Sequence, residues 1–164
     1  MKLKTNVFFI VFGLLSVGSF CQETIWFDAN YTITTIEKAT YYRPTPKEKR
    51  NNVLIIDYYK NGKKYREGKA KSVVLNNELF RGVVTYYYPN ETIFKKITYK
   101  KGVIDGVYQE YYKTGELKES GRYNNGKKNG NWKLYNKSGK IKSKGTYRDG
   151  EKVGIWKIFY KNAY

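Results

Sequence analysis

The chain has 164 residues, a formal net charge of +18 and no histidine. This length fits one domain, and the lack of histidine excludes the usual Ser-His and Cys-His nucleophile pairs and the commonest zinc ligand. Tyrosine, phenylalanine and tryptophan together make up 18% of the residues, which favours strands over helices. We therefore expect an all-β protein that is not an enzyme and that binds no cofactor or metal.

The first element predicted along the chain is a secretory signal peptide, residues 1–21. A basic N-terminus precedes the apolar stretch Val7–Val17, and the small residues Ser19 and Cys21 follow it, which is typical of such a signal. The apolar stretch is shorter than the about 20 residues that span a bilayer. We predict cleavage at Cys21-Gln22 and export to the periplasm, the outer membrane surface or the extracellular space.

The alternative for this region is a lipid-modified Cys21, as in bacterial lipoproteins. The bulky Phe20 departs from that pattern, so a soluble exported chain is the favoured interpretation. The mature chain then contains no cysteine and needs no disulfide bond. Loss of Lys2 and Lys4 lowers the net charge from +18 to +16. Such a charge attracts anionic surfaces, but the favoured interpretation is that the lysines cover the solvent side of a soluble sheet and keep its edges from pairing.

Residues 22–52 are predicted to form capping strands and a loop. The apolar cluster Ile25–Phe27 and the β-branched run Thr32–Ile36 predict a strand pair that shields the open end of a repeat array. Pro44–Pro46 and the charged Lys47–Arg50 predict an exposed loop after it.

An internal repeat of 24 residues governs the rest of the chain. Every glycine between Gly82 and Gly154 belongs to one of four series with this spacing: Gly82, Gly106, Gly130 and Gly154; Gly115 and Gly139; Gly121 and Gly145; and Gly102, Gly126 and Gly150. The aromatic residues Tyr108, Trp132 and Trp156 follow the same spacing. We predict three full repeats and a terminal half-repeat over residues 82–164, and a divergent first repeat over residues 53–81.

Each repeat contains two runs with strand character, separated by turn signals. Asn125-Gly126 and Asp149-Gly150 suit two-residue hairpin turns. The predicted fold is a single-layer antiparallel meander of β-hairpin repeats, with one packed and one wet face and no substantial helix after the signal peptide. Gly121 and Gly145 lie inside strands, where glycine is unfavourable, so we expect a neighbouring aromatic ring to cover each of them.

The candidate binding site is an aromatic stripe flanked by basic residues. In the predicted register the stripe consists of Tyr87, Tyr111, Tyr135 and Phe159, and it lies beside Lys133 and Lys157. The alternative is a structural role, in which the stripe packs under the N-terminal segment or braces the single-layer sheet.

The repeat unit resembles a known family. The pattern Gly-x-Trp-x-x-Tyr, a turn glycine, Lys-x-x-Gly-x-Tyr and then Asn/Asp-Gly-Lys at residues 106–128 and 130–152 resembles the variant MORN repeat of YwqK-like proteins, which carry the label antitoxin. The resemblance extends over residues 53–164. Trp26–Asp28 and Ala39–Arg43 resemble elements that precede such repeats in exported proteins of Bacteroidota. The family implies β-hairpin repeats, association with proteins or membranes, and no catalytic residues.

The leading functional hypothesis is therefore a protein-interaction scaffold at the periplasm or cell surface. The alternatives are binding to an anionic membrane surface and binding to cell-wall or capsule glycans. We expect no nucleic-acid partner outside the cytoplasm and no small-molecule substrate. Four carboxylates could in principle serve glycoside hydrolysis, but they do not recur coherently between repeats and are assigned structural or solubilising roles: Asp105, Glu110, Glu116 and Glu119. An antitoxin that acts in the cytoplasm does not fit the export signal.

Overall fold

The computed structural model describes residues 24–45, 52–71 and 78–159. These residues form one antiparallel sheet of eleven strands, in which the spatial order equals the sequence order. The strands are β1 (Thr24–Phe27), β2 (Tyr41–Pro44), β3 (Val53–Tyr59), β4 (Lys64–Ala70), β5 (Phe80–Tyr87), β6 (Ile93–Lys100), β7 (Val103–Tyr111), β8 (Leu117–Asn124), β9 (Lys127–Tyr135), β10 (Ile141–Arg148) and β11 (Glu151–Ile158). The described residues contain no helix. The predicted antiparallel meander is confirmed.

Several predictions fall on other parts of the chain. The signal peptide at residues 1–21, its cleavage site at Cys21-Gln22 and the charged loop Lys47–Arg50 lie outside the described residues. So does most of the extra sequence that separates the divergent first repeat from Gly82. These predictions remain predictions.

The N-terminal strand pair differs from the expected one. The run Thr32–Ile36 is not a strand, and it contributes a single bridge between Phe27 and Ile33. Strand β1 pairs instead with β2, where Trp26 lies opposite Tyr42. The reason is local: the Asp28 carboxylate accepts hydrogen bonds from the N–H groups of Asn30 and Thr32. These bonds close a turn that brings the chain back beside β1, where the Thr34 N–H donates to the Trp26 carbonyl at 2.9 Å.

Two kinds of turn alternate along the meander, and the first is a two-residue turn. Lys101-Gly102, Asn125-Gly126 and Asp149-Gly150 have positive φ at both positions, between 46° and 95°. Two successive positive φ angles define the type I′ turn, whose twist matches that of the flanking strands. The predicted hairpin turns at Asn125-Gly126 and Asp149-Gly150 are therefore confirmed.

The second kind of turn contains one residue with positive φ. Gly62, Gly115 and Gly139 hold this position with φ of 86°, 103° and 75°, and Glu91 holds it in the hairpin β5–β6 with φ of 68°. The N–H of Glu91 donates to the carbonyl of Tyr88 at 2.8 Å. In the three glycine turns the glycine N–H likewise donates to the carbonyl of the residue three positions earlier. Glycine adopts this conformation without steric cost, whereas a side chain costs about 1–2 kcal/mol. The β5–β6 hairpin therefore keeps the same turn although glutamate replaces glycine at its positive-φ position.

Replacement of Glu91 by Gly is therefore expected to stabilise the protein. Relief of the positive φ outweighs the greater backbone freedom of glycine in the unfolded chain, which leaves a net gain of about 0.5–1 kcal/mol. Denaturant unfolding of the variant measures the gain. The control is Glu151→Gly, since Glu151 lies in a strand and does not have positive φ. A destabilised Glu91→Gly variant would contradict this account.

The sheet has two unlike faces. We call the face that carries Tyr108, Trp132 and Trp156 the ring face, and the face that carries Lys133, Lys144 and Lys157 the lysine face. The strand register places one residue of each strand from β3 to β11 in a central row on the ring face: Ile55, Gly68, Val84, Ile97, Tyr108, Gly121, Trp132, Gly145 and Trp156. Large and small residues alternate along much of this row, so that each large side chain covers a neighbour.

The composition of the central row changes along the sheet. From β3 to β6 the row is mainly aliphatic, and Ile55, Val84 and Ile97 are 0–3% exposed within a core that includes Phe80 and Tyr86. From β7 to β11 the row holds only aromatic residues and glycines. The first half thus resembles an ordinary core, whereas the second half is stabilised by rings lying on backbone.

Candidate functional site

Aromatic residues on the ring face of the last repeats form a continuous chain. Ring centroids of consecutive members lie 5.1–5.7 Å apart from Tyr108 through Tyr123, Trp132 and Tyr147 to Trp156. All four contacts are edge-to-face, the geometry that the ring quadrupole favours. The rings therefore stabilise one another across five strands.

Each tryptophan of this chain covers a glycine. A Cβ atom on Gly121 would lie under 3.0 Å from three ring atoms of Trp132, and Gly145 stands in the same relation to Trp156. The expected ring over each strand glycine is thereby confirmed. Trp132 is 0% exposed, and its indole N–H donates to the carbonyl of Arg122 at 3.2 Å. The Lys128 ammonium lies 3.9 Å from the same ring. Lys128 and the neighbouring tyrosine rings cover Trp132 on the ring face, so the indole has no exposed surface for a ligand.

The predicted stripe lies on the opposite face. Tyr87, Tyr111 and Tyr135 are the last residues of β5, β7 and β9, and Phe159 follows β11, so the four occur on alternate strands at one end of the lysine face. Alternate strands are roughly 9.5 Å apart. Within the described residues the four rings accordingly make no contact with one another, and they form separate half-buried or exposed rings rather than a stacked platform.

Individual stripe residues have local partners. The Tyr87 hydroxyl donates to the Glu67 carboxylate, and burial together with this carboxylate raises the pKa of Tyr87 to about 12. The Tyr135 hydroxyl lies 3.4 Å from the hydroxyl of Ser120, and Lys144 lies over the Phe159 ring at 5.8 Å. Each of these contacts joins a stripe residue to a neighbouring strand, and the exposed surface of the stripe lies beside lysines.

Three lysines of the lysine face lie directly opposite one another. The register pairs Lys133 with Lys144 and Lys144 with Lys157 across β9, β10 and β11. Like charges opposed on one face of a sheet are destabilising, and no acidic side chain of the described residues forms an ion pair with any of the three. Ile155, which is 85% exposed, borders the same open groove of about 290 Å³. This lysine row is the most distinctive charged feature of the surface.

The lysine row lies in the most basic part of the chain. Residues 117–159 contain twelve Lys or Arg and three Asp or Glu. The acidic side chains nearer the middle of the sheet are neutralised, because Lys118 bonds Glu110 at 2.6 Å and Lys128 bonds Glu119 at 2.7 Å. The uncompensated positive charge therefore collects at the β9–β11 end of the sheet.

A second recurring feature links successive hairpins through tyrosine hydroxyls. Tyr59 donates to the carbonyl of Tyr87 at 2.7 Å, Tyr88 to that of Tyr111 at 2.9 Å, and Tyr112 to that of Tyr135 at 2.8 Å. Each donor occupies the position where a strand ends and its turn begins, and burial raises the pKa of Tyr59 to about 12. The acceptors are the backbone groups of the predicted stripe.

The next hairpin has Asn136 at the corresponding position. Its side-chain oxygen accepts hydrogen bonds from the N–H groups of Ser138 and Lys140, both at 3.0 Å, and so stabilises its own turn. The series of tyrosine bonds therefore stops before β11. Sequence reasoning could have found the series, since Tyr88 and Tyr112 recur at 24 residues, but the acceptor is a backbone group that no sequence pattern indicates.

Replacement of Tyr112 by Phe is expected to lower the free energy of unfolding by about 1 kcal/mol. The variant loses one hydrogen bond, and the partly buried carbonyl of Tyr135 loses the hydroxyl donor of Tyr112. Denaturant unfolding measures the change. Tyr123→Phe is the matched control, since the Tyr123 hydroxyl forms no hydrogen bond within the described residues. Equal stability losses for the two variants would show that the recurring bond contributes nothing.

A buried ionic cluster joins the N-terminal segment to the sheet. Asp57 is 0% exposed and accepts hydrogen bonds from Arg43 at 2.5 Å and from Arg66 and Tyr31. Arg43 also bonds Glu78 at 2.6 Å, which completes a set of two cations and two anions. Burial and the Asp57 carboxylate raise the pKa of Tyr31. All members are partnered, so the cluster is structural, and it was not predicted because its members are far apart in sequence.

Two of the carboxylates considered for glycoside hydrolysis, Glu110 and Glu119, lie opposite each other on the ring face. Partial burial acts to raise the pKa of Glu110, but hydrogen bonds from Lys118 and Tyr108 outweigh it and hold the pKa below its usual range. A general acid in glycoside hydrolysis needs the opposite shift. The described residues bring no three metal-ligating side chains into one group, and they contain no helix long and apolar enough to cross a membrane.

These features define a class of protein. One hairpin unit recurs every 24 residues with the same two turns and the same central row, which is the arrangement of a β-hairpin repeat protein. Three segments, residues 81–101, 104–125 and 128–149, match the family model of the MORN repeat variant. They coincide with the hairpins β5–β6, β7–β8 and β9–β10, and they support the MORN repeat family for this part of the chain. No curated protein matches the chain.

Proposed function

We propose that the chain is an exported, non-catalytic scaffold that docks a protein partner on the lysine face of its last two hairpins. MORN repeats are commonly modules of protein or membrane interaction. The observation that carries the proposal is the row Lys133, Lys144 and Lys157 beside the exposed Ile155. A partner that supplies negative charge and an apolar contact there removes a repulsion that the free protein sustains.

The two faces differ in what they can offer a partner. On the ring face of these hairpins Trp132, Tyr147 and Lys128 pack against one another. The lysine face keeps its cations exposed there together with Ile155 at 85%, and Val107 on β7 continues the same face with 42% exposure. Exposed apolar residues rimmed by charge are typical of protein-interaction surfaces. The proposal therefore assigns docking to the lysine face.

The test compares two triple variants in capture from envelope extract. Lys133→Glu, Lys144→Glu and Lys157→Glu together reverse the charge of the lysine row. Lys113→Glu, Lys137→Glu and Lys140→Glu together change the net charge equally but lie in exposed turns. We expect a specific protein that the wild type and the turn variant retain and the row variant loses. No specific protein, or equal retention by both variants, would overturn the proposal.

Binding to an anionic membrane surface is the second candidate, and the basic residues 117–159 favour it. Each basic residue near an anionic bilayer contributes about 1 kcal/mol at physiological ionic strength or below. Sedimentation with vesicles of phosphatidylcholine, with and without phosphatidylglycerol, across a salt series separates the candidates. Binding that requires phosphatidylglycerol, falls with salt and is lost in both triple variants would favour the membrane over a specific protein.

Glycan binding, the third alternative, has less support from the geometry. Sugars stack on exposed rings, but Trp132 is 0% exposed and the stripe residues are separate rings. Unchanged tryptophan fluorescence across a panel of cell-wall and capsule polysaccharides is the expected result. Quenching that a polysaccharide produces and that Trp156→Phe abolishes would restore this alternative.

Export is part of the proposal and rests on residues 1–21. Mass spectrometry of the mature protein is expected to find Gln22 at its N-terminus. A diacylglyceryl group on Cys21 would identify a lipoprotein instead, and an intact Met1 would overturn export. Under this proposal the chain is not a cytoplasmic antitoxin, and the label of YwqK-like proteins describes only its repeats.

A further inference from the structure

The outer edge of β11 pairs with no strand of the described residues. Each strand from β2 to β10 is paired on both sides, whereas β11 pairs only with β10 among the described strands. Alternate residues of this eight-residue strand therefore direct their backbone N–H and C=O groups outwards, where a further strand could pair with them. The strand is long enough for a ladder comparable to those within the sheet.

Side chains at this edge are more exposed than their counterparts one repeat earlier. Trp132 is 0% exposed, whereas Trp156 is only partly buried. Leu134 is partly buried, whereas Ile158 is 55% exposed. The difference has one cause: β9 has a further strand beside it and β11 has none in the part of the chain described. A strand added to β11 would complete the cover of these apolar side chains.

The register of the sheet predicts which side chains an added strand should have at the positions opposite β11. Trp132 lies opposite Gly145 on the following strand, and Leu134 lies opposite Ser143. Tyr108 and Trp132, the aromatic residues of the central row that have a following strand, each lie opposite a glycine. The same register places a small residue opposite Trp156. This requirement selects among partner strands by size.

Charge supplies the second requirement. Lys157 ends the row that begins with Lys133 and Lys144. The residue opposite Lys157 on an added strand therefore faces one cation directly, with the other two roughly 10 and 14 Å away at the usual strand spacing. An acidic side chain there is stabilised, and a basic one is repelled. Strand β4 shows that an acidic and a small residue fit in succession, since Glu67 and Gly68 occupy the corresponding two positions within the sheet.

We infer that β11 accepts, as a twelfth antiparallel strand, an extended acidic segment of the protein partner, with an acidic residue opposite Lys157 and a small residue opposite Trp156. The inference rests on the proposed protein-docking function and specifies its partner. A second copy of the chain fits less well, since β11 carries Lys152 and Lys157 against a single Glu151 and self-pairing would bring two lysine rows together. Main-chain pairing provides affinity, and the two side-chain positions provide specificity.

The test uses a synthetic peptide and the full chain. The acidic peptide has the sequence of β10 with three substitutions, Lys142→Glu, Lys144→Glu and Arg148→Glu, and blocked ends. Two control peptides are the unchanged β10 sequence and the acidic peptide with Val in place of the glycine that corresponds to Gly145. Fluorescence anisotropy measures their affinities. We expect each control peptide to bind at least tenfold more weakly than the acidic peptide.

Hydrogen exchange locates the bound peptide. Exchange of the β11 amides should slow in the presence of the acidic peptide, because their outward groups become paired. Lys157→Glu should weaken binding at least tenfold, whereas Lys137→Glu in a remote turn should weaken it less than threefold. Sedimentation equilibrium of the free protein should show a monomer.

Three results would overturn the inference. They are no binding of the acidic peptide at 1 mM, binding without slower exchange in β11, and a dimer in which β11 is already protected. If the peptide fails while the lysine-row triple variant still loses its partner from extract, docking on the lysine face stands and only the edge-strand inference falls. If both fail, the proposed function falls as well.

Discussion

Replacement of Gly121 by Val is expected to lower the free energy of unfolding by about 3 kcal/mol. The added Cβ would lie under 3.0 Å from the ring of Trp132, and that ring is 0% exposed and held by Tyr123, Tyr147 and Lys128. The ring cannot move without breaking these contacts, so the overpacking is not relieved. Urea unfolding followed by tryptophan fluorescence measures the loss.

Two further variants make this prediction specific. Gly145→Val places the same clash under Trp156, which is partly exposed, so its ring can swing outwards and the expected loss is smaller, about 1–2 kcal/mol. Arg122→Val adds a β-branched residue next to Gly121 on the exposed side of the strand, where we expect a change within about 0.5 kcal/mol. If Gly121→Val were no worse than Arg122→Val, the close fit of ring on backbone would not stabilise the sheet.

Replacement of Asp57 by Asn is expected to destabilise the protein by about 3–5 kcal/mol. Asp57 is the shared acceptor of Arg43, Arg66 and Tyr31, and the variant leaves two guanidinium groups with Glu78 as their one remaining carboxylate in the cluster. Removing one partner of a buried ion pair leaves charge without compensation in a region that water does not reach. The expected loss exceeds that of any surface substitution.

The control for this prediction is Asp149→Asn. Asp149 lies in an exposed type I′ turn, and Asn125 holds the equivalent position one repeat earlier, so we expect a change within about 0.5 kcal/mol. A double-mutant cycle with Arg43→Met should show strong non-additivity, because both substitutions break the same cluster. Additive losses would mean that Asp57 acts through something other than its ionic partners.

The repeat itself was predictable because glycine and aromatic residues have strict local requirements. Positive φ at the turns selects glycine or, at Asn125 and Asp149, a short polar residue. Turns repeated at a constant interval leave only strands of constant length between them, and such strands form a meander. The exception at Glu91 shows the limit of this reasoning, since the turn persists there although its sequence signal is missing.

The candidate site was predictable only in part. Lys133 and Lys157 were named because they flank the aromatic stripe, but Lys144 was not, since it belongs to the other strand type of the repeat. Its position opposite both of them depends on the bulges that shift the register of β10 against β9 and β11. No pattern within a single strand contains that information.

The antiparallel meander of 24-residue hairpins is encoded locally, because turn geometry and side-chain alternation are properties of a few consecutive residues. Which rings are buried, which lysines become neighbours and how the N-terminal segment is attached are settled only in the folded sheet. Those outcomes depend on the pairing register between strands and on contacts between residues far apart in sequence, such as Arg43, Asp57 and Glu78. Their energies exist only once the sheet has formed, so no local pattern in the sequence carries them.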